Sequence, residues 1–357
     1  MTRIGIIGAS SQVGSSVAFF LKKFSGTQVT CFIRSAYSKV FFELLGIDYR
    51  LIDKEDEAAR MIGEMDVILD FGYPAGQLQE ILGRSKENTG RILQAMKKGK
   101  TYIYMSSIMA YGMPENEKWI RQYAVPRSSY AYIKRSMEKF AAREGRRRGI
   151  SVYNFRLGQV HGFLQSVSGS FRKKLSDCNI AFVDGRPEDR VNTIFIYPLC
   201  EAIMDCVKGV HRPGLYTLVS GPQWTLKELY DYYLQYYGLA VDIKYIPAGK
   251  ENTGKGRGKT FFQKGMALAR PYRAILETYL LMRFPAWMVS VKGRFRQMQL
   301  SEQGHEALKR SGYIDLNLLG EPSGKRISGS TAAPEKILQI EKEYEAAYYA
   351  ALDTGRR

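Results

Sequence analysis

Histidine and cysteine are scarce in this chain of 357 residues, with three of the first and four of the second. The cysteines (Cys31, Cys178, Cys200, Cys206) form no Cys-x-x-Cys pair, and His161, His211 and His305 stand far apart, so no metal site is expected from ligand spacing. Cys31 falls in an apolar strand-like run and Cys200 in a helix-like one, where a free thiol acts as a small buried hydrophobe. That usage points to a reducing, cytoplasmic setting. Long apolar runs are also missing. The nearest, 274–288, is interrupted by Glu277, Arg283 and Pro285 and falls short of a membrane span of ~20 residues. The amino-terminal residues enter a short strand directly, without the apolar stretch of a signal peptide. Acidic residues are outnumbered, 35 against 53 Lys and Arg, leaving a formal charge of +18. The cations are spread along the chain, with clusters at Arg146-Arg147-Arg148, Arg172-Lys173-Lys174 and 250–259, and no nucleic-acid-binding module surrounds them. The charge therefore reads as a solvated basic surface that favours an anionic small-molecule substrate over nucleic acid.

What is present is a rhythm. Strand-like runs at 3–7, 28–33, 49–52, 67–71, 102–105 and 152–157 alternate with helical patterns such as 13–24 and 88–97. Short continuous apolar strands separated by helices are the signature of βαβ units, and they predict an α/β fold with a doubly wound parallel Rossmann sheet. After about residue 160 the rhythm changes. Residues 166–176 are polar and basic, 199–207 helical, 214–219 a strand, and 225–237 a helix dense in tyrosine. Residues 249–259 form a Gly- and Lys-rich loop, and 321–333 a weakly structured stretch before a last helix at 334–352.

Gly8-Ala9-Ser10-Ser11-Gln12-Val13-Gly14 follows the first strand and opens a helix. Glycine serves there where the backbone turns sharply and where helix and strand pack closely, and the open helix end offers N–H groups to a pyrophosphate. Ser11 stands at the usual middle glycine. The second strand ends in Arg34-Ser35 instead of the acidic residue that would bond a ribose 2′-hydroxyl. A guanidinium pairs with phosphate oxygens, so NADP is expected ahead of NAD. Asp53, at the end of the third strand, reads equally as an adenine contact or a helix N-cap. Phe71 and Gly72, closing the fourth strand, complete the expected cofactor contacts, with Tyr73 beside them for substrate.

Two segments carry the chemistry. Ser106-Ser107-Ile108-Met109-Ala110-Tyr111-Gly112 sits at the end of a buried strand, where open parallel sheets hold their ligands. Ser129-Tyr130-Ala131-Tyr132-Ile133-Lys134 starts a helix on which Tyr130 and Lys134 share one face. A phenol titrates near ~10 and is a poor base at neutral pH, but a neighbouring ammonium favours its phenolate. Such a group can exchange a proton with a carbinol while a serine hydroxyl orients the oxygen.

On these residues the sequence resembles the extended short-chain dehydrogenase/reductases, the NAD-dependent epimerase/dehydratase family. The resemblance rests on the 8–14 loop, Ser107 four before Tyr111-Gly112, the Tyr-x-x-x-Lys of Tyr130 and Lys134, Glu138 four further on, and Phe155-Arg156-Leu157-Gly158-Gln159-Val160-His161-Gly162. It implies that Tyr130 is the catalytic acid/base, that Lys134 holds the nicotinamide ribose and lowers the Tyr130 pKa, and that Ser107 binds the reacting oxygen. It further implies a sugar-nucleotide or similar anionic hydroxy or keto substrate in the later part of the chain, Arg190 near its diphosphate, and a homodimer built on the helix at 130–143. His161 is a candidate for the substrate cavity. The expected organisation is a dinucleotide-binding domain at 1–163, a smaller mixed substrate-binding region at 164–320 interleaved with the Rossmann core, and a linker and helix at 321–357. Ile108-Met109 replaces the Asp-Glu pair of the 4,6-dehydratases, which argues against dehydration by that route, and Ile196-Tyr197-Pro198-Leu199 replaces a common acidic pair. Two alternatives stand beside this reading. A ketoreductase for a natural-product or lipid-like carbonyl would use the apolar 267–287 segment. A non-catalytic NADP sensor would commonly lack the Tyr or the Lys, and both are here.

Overall fold

The computed structural model describes residues 1–23, 26–52, 55–76, 78–111, 129–246 and 333–354. Asp53, the basic loop at 249–259 and the apolar segment at 267–287 lie outside the described residues.

Seven strands form one parallel sheet: β1 (Thr2–Ile7), β2 (Thr27–Ile33), β3 (Tyr49–Leu51), β4 (Val67–Asp70), β5 (Thr101–Ser107), β6 (Ser151–Leu157) and β10 (Gly214–Leu218). Their spatial order is β10-β6-β5-β4-β1-β2-β3, so the order reverses between β1 and β4. In an open sheet of this kind a crevice opens at that reversal, beyond the carboxyl ends of the strands. The central strands β4 and β5 are buried on both faces, which is why they read as continuous apolar runs, whereas β3 at the sheet edge is largely exposed.

Alternate residues feed two cores. Ile4, Ile6, Ile103 and Met105 face α1 (Gln12–Leu21) and α7 (Ile196–Val207). Ile68, Tyr102 and Tyr104 face α4 (Leu78–Ala95) and α5 (Ser129–Arg148). The helix expected at 88–97 begins ten residues earlier, at Leu78. Its buried stripe runs through Leu82, Ser85, Thr89 and Ile92, and the two hydroxyl residues hide the apolar period. Likewise the helix expected from 199 starts at Ile196, because Pro198 is accommodated in a first turn that needs no donor there.

The later elements build a smaller lobe. The polar, basic stretch is helix α6 (Ser166–Ser176), and two two-stranded parallel sheets pair β7 (Gln159–His161) with β9 (Thr193–Phe195) and β8 (Ile180–Asp184) with β11 (Asp242–Ile246). The tyrosine-rich α8 (Leu226–Tyr237) starts in a Thr225/Glu228 capping box and ends at Gly238 in the left-handed region. Its tyrosines enclose a third core with Trp224, Phe195 and the first turn of α9 (Pro334–Thr354). No helix among the described residues is long and apolar enough to cross a membrane.

A buried ion pair ties the layers together. Arg156 on β6 donates from Nε and Nη2 to the two carboxylate oxygens of Glu138 on α5, at 2.9 and 2.6 Å. Ser106 on β5 donates to the same carboxylate at 2.5 Å. Removing one member leaves a buried, uncompensated charge, so Arg156→Met is expected to lower unfolding stability by about 3–5 kcal/mol. Urea denaturation checks this, and the Arg156→Met, Glu138→Leu double variant should recover most of the loss.

Candidate active site

Gly8 turns the chain after β1 with φ at 71°, and a Cβ placed on it would lie 2.8 Å from the Phe71 carbonyl carbon. A Cβ on Gly14 would lie 2.5 Å from the Gly8 oxygen. Ser11, standing where a glycine is usual, is used by the loop itself: its hydroxyl donates to the Gly8 carbonyl at 2.7 Å and accepts from the Gly14 N–H at 3.1 Å, capping α1. Val13 is half-buried against the core. Ser10 and Gln12 are exposed at the helix mouth. The loop is a cradle that side chains would fill, closed by a helix end with free donors, and it fits a pyrophosphate.

A cavity of about 380 Å³ opens from this loop. Gly8, Ser10, Arg34, Asp70, Gly72 and Tyr73 line it from β1, β2 and β4, with Ile62, Asn88 and Met137 on the helix side. Arg34 is exposed, so its guanidinium is accessible to a ligand. Ser35 caps the short turn after it, accepting from the Tyr37 N–H at 3.3 Å. Phe71 turns its ring into the core, leaving backbone beside Gly8.

At the carboxyl end of β5, Ser107 accepts from the Met109 N–H at 3.3 Å and hydrogen-bonds the Tyr130 phenol. Lys134 lies one helical turn on and is only 5% exposed. Its ammonium donates to the Met105 carbonyl at 2.7 Å and sits 5.0 Å from the Tyr104 ring centroid, 5.5 Å from that of Tyr73 and 5.7 Å from that of Tyr130. Burial pulls its pKa down to about 8, against the opposing charges of Asp70 and Glu138. Tyr73 is 41% exposed, its ring 5.4 Å from that of Tyr130.

The expected effect of Lys134 on Tyr130 is not what the geometry produces. Burial raises the Tyr130 phenol above its ordinary value, and the Ser107 hydrogen bond only offsets this in part. The cation is aimed at the Met105 carbonyl and the ring faces, and desolvation of the phenolate dominates. Tyr130 therefore holds its proton more tightly than a free phenol does.

Two substrate candidates sit apart from this cavity. His161 is fully buried, its Nδ1 and the Tyr233 hydroxyl 2.5 Å apart, with Phe171 and Phe195 packed around the ring. Burial lowers its pKa to about 3, so it is a neutral core residue and not a cavity-wall contact. Arg190 is exposed on the smaller lobe, where its backbone bridges to Thr225.

The sequence reading missed Asp70. Its carboxylate is buried beneath the cavity floor, accepting from the Tyr102 hydroxyl at 2.5 Å and the Gly72 N–H at 2.7 Å, and burial raises its pKa. An aspartate inside the run Val67-Ile68-Leu69-Asp70-Phe71 was the available signal. Among the described residues no cluster of His, Cys, Asp or Glu is arranged to hold a metal.

A family model described as the NAD dependent epimerase/dehydratase family matches residues 4–191. Among solved structures, the UDP-N-acetylglucosamine 4-epimerase from Bacillus cereus is similar at 17% identity, covering 69% of this chain and 86% of that one with a TM-score of 0.54. The UDP-glucuronic acid 4-epimerase from the same organism, in complex with NAD, is similar at 15% identity, covering 69% and 88% with a TM-score of 0.54. The dTDP-glucose 4,6-dehydratase from Bacillus anthracis, also in complex with NAD, is similar at 16% identity, covering 69% and 85% with a TM-score of 0.52. At such identities the likeness is one of fold. No curated protein matches the chain. The family model covers more than half of the sequence and takes in the glycine loop, Ser107, Tyr130 and Lys134, and the chain belongs to the NAD dependent epimerase/dehydratase family of extended short-chain dehydrogenase/reductase enzymes.

Proposed function

We propose that this enzyme is a nicotinamide-dinucleotide-dependent oxidoreductase or epimerase acting on a nucleotide sugar or a comparably anionic hydroxy or keto substrate. The observation that carries the reading is the meeting of Ser107, Tyr130 and Lys134 at the end of β5, beside a cavity that begins at the glycine loop. A dinucleotide held by the Gly8–Gly14 cradle supplies the hydride acceptor and donor. The chain's own groups do the rest. Ser107 orients the substrate oxygen and stabilises charge on it. Tyr130, resting as a phenol, gives that oxygen its proton in the reducing direction and takes one in the oxidising direction. Lys134 keeps a positive charge close to the reacting oxygen and, with Tyr73, narrows the space around Tyr130.

The anionic substrate class is supported by the net charge of +18 and by solved relatives named for nucleotide sugars. Arg190, exposed on the smaller lobe, is the candidate for its diphosphate. For the cofactor, Arg34 on the cavity lining favours NADP through a charge-assisted bond to a 2′-phosphate, although two of the relatives hold NAD.

Tyr130→Phe is expected to reduce turnover of UDP-sugars or their keto forms by about 10²–10⁴-fold with dinucleotide Kd unchanged. Wild-type turnover in that variant, followed at the nicotinamide absorbance, would overturn the reading. Lys134 carries its charge fully below about 8 and loses it as pH rises through that value, so kcat should fall along an alkaline limb centred there. Lys134→Met should show no such limb and uniformly low activity. Arg34→Ala should weaken NADP binding by about 10–100-fold and leave NAD binding within about twofold. Equal losses for the two cofactors, measured by calorimetry, would remove the NADP preference.

A further inference from the structure

Helix α9 lies beyond the residues that the family model matches, yet it packs on the helix that carries the glycine loop. Tyr344 stacks on Phe20 of α1 with centroids 3.8 Å apart and planes at 8°, and Tyr348 meets Phe19 edge-on at 5.8 Å and Phe163 at 5.6 Å. One polar group sits inside this apolar seam. Glu341 is fully buried, and its Oε2 accepts the backbone N–H of Phe163 at 2.9 Å. The contact leaves little room, since a Cβ on Gly162 would lie 3.4 Å from that carboxyl and 3.0 Å from Ile196.

Phe163 belongs to the turn between β7 and α6. Within the turn the Gln165 N–H donates to the Gly162 carbonyl at 2.9 Å and the Gly162 N–H to the Ser168 hydroxyl at 3.1 Å. From the same turn, Gln165 reaches back to the loop. Its amide donates to the Gln12 carbonyl at 3.0 Å and to the Ser16 hydroxyl at 2.8 Å, and Ser166 donates to the Gln12 side chain at 3.0 Å. Gln12 is the first residue of α1, and its N–H points out of the helix mouth. Hydrogen bonds joined through the backbone of the 162–166 turn thus connect the carboxy-terminal helix to Gln12 and Ser16 in the first turn of α1.

We propose that Glu341 is a positioning residue for the dinucleotide loop, acting through Phe163 and Gln165 to hold Gln12 and the mouth of α1 in place. The inference rests on the cofactor reading above. Burial pushes the Glu341 carboxyl up to about 8, so at neutral pH it acts as a neutral acceptor, and a glutamine can take over that bond.

The test uses the full-length chain with NADP and NAD as probes. Glu341→Leu should raise dinucleotide Kd about tenfold, the effect of one lost hydrogen-bonded brace, while kcat at saturating dinucleotide stays within about twofold. Amide hydrogen exchange should quicken at 162–166 and in the first turn of α1. Glu341→Gln should restore both readouts. Gln165→Ala cuts the chain at its other end and should reproduce the Kd change with α9 still protected, which separates positioning from failure of the helix to dock. The proposal is overturned if Glu341→Leu leaves exchange at the α1 mouth unchanged, if Glu341→Gln behaves like Glu341→Leu, or if kcat falls while Kd holds. Should the wild-type chain bind neither dinucleotide, the cofactor reading fails, and the exchange comparison still decides whether Glu341 braces the loop.

Discussion

The fork between Glu138 and Arg156 sets the geometry on which the site depends. Two charged groups with almost no exposure are stable in an apolar interior only when each satisfies the other, and the two short bonds between them leave little freedom. Because Arg156 stands on β6, Glu138 on α5 and Ser106 on β5, the fork locks a helix to two strands at one register. Lys134 is one turn before Glu138 and Tyr130 one turn before that, while Ser107 follows Ser106. The alignment of phenol, ammonium and serine hydroxyl is therefore a consequence of an ion pair that itself touches none of the cavity.

Desolvation governs the groups around that fork, and it acts on each according to the charge of its ionised form. Lys134 loses affinity for its proton and Tyr130 and Asp70 gain it, while His161 is held neutral far below its ordinary pKa. Nearby charges partly oppose this at Lys134, where Asp70 and Glu138 keep the ammonium in reach of neutral pH. Helix α5 thus presents a cation whose pKa lies near 8 beside a phenol that holds its proton. Such a pairing suits a reversible proton transfer.

The carboxy-terminal helix extends the same logic to the cofactor loop. A glycine cradle is permissive by construction, because the residues that make room for a pyrophosphate supply no side chains to stiffen it. Stiffness has to come from neighbours, and here it comes from Ser11 inside the loop and from Gln165 and Ser166 outside it. The aromatic seam between α1 and α9 then backs the helix that the loop opens.

The sequence alone was sufficient for the parallel α/β sheet, for the loop at 8–14 and for the pairing of Tyr130 with Lys134, because these follow from periodicity and from spacings within one strand or one helical turn. It was also sufficient for the family, since those motifs keep their order along the chain. What only the tertiary structure decided is what surrounds each group. His161 could not be told from a cavity residue until β9 and α8 closed over it, and Asp70 looked like the tail of an apolar run until Tyr102 and Gly72 met its carboxylate. The reversal in Tyr130, from an expected lowered pKa to a raised one, has the same origin. Spacing brings a cation near, but the balance between its field and the loss of water depends on burial contributed by segments distant in the chain, and those distances exist only once the chain has folded.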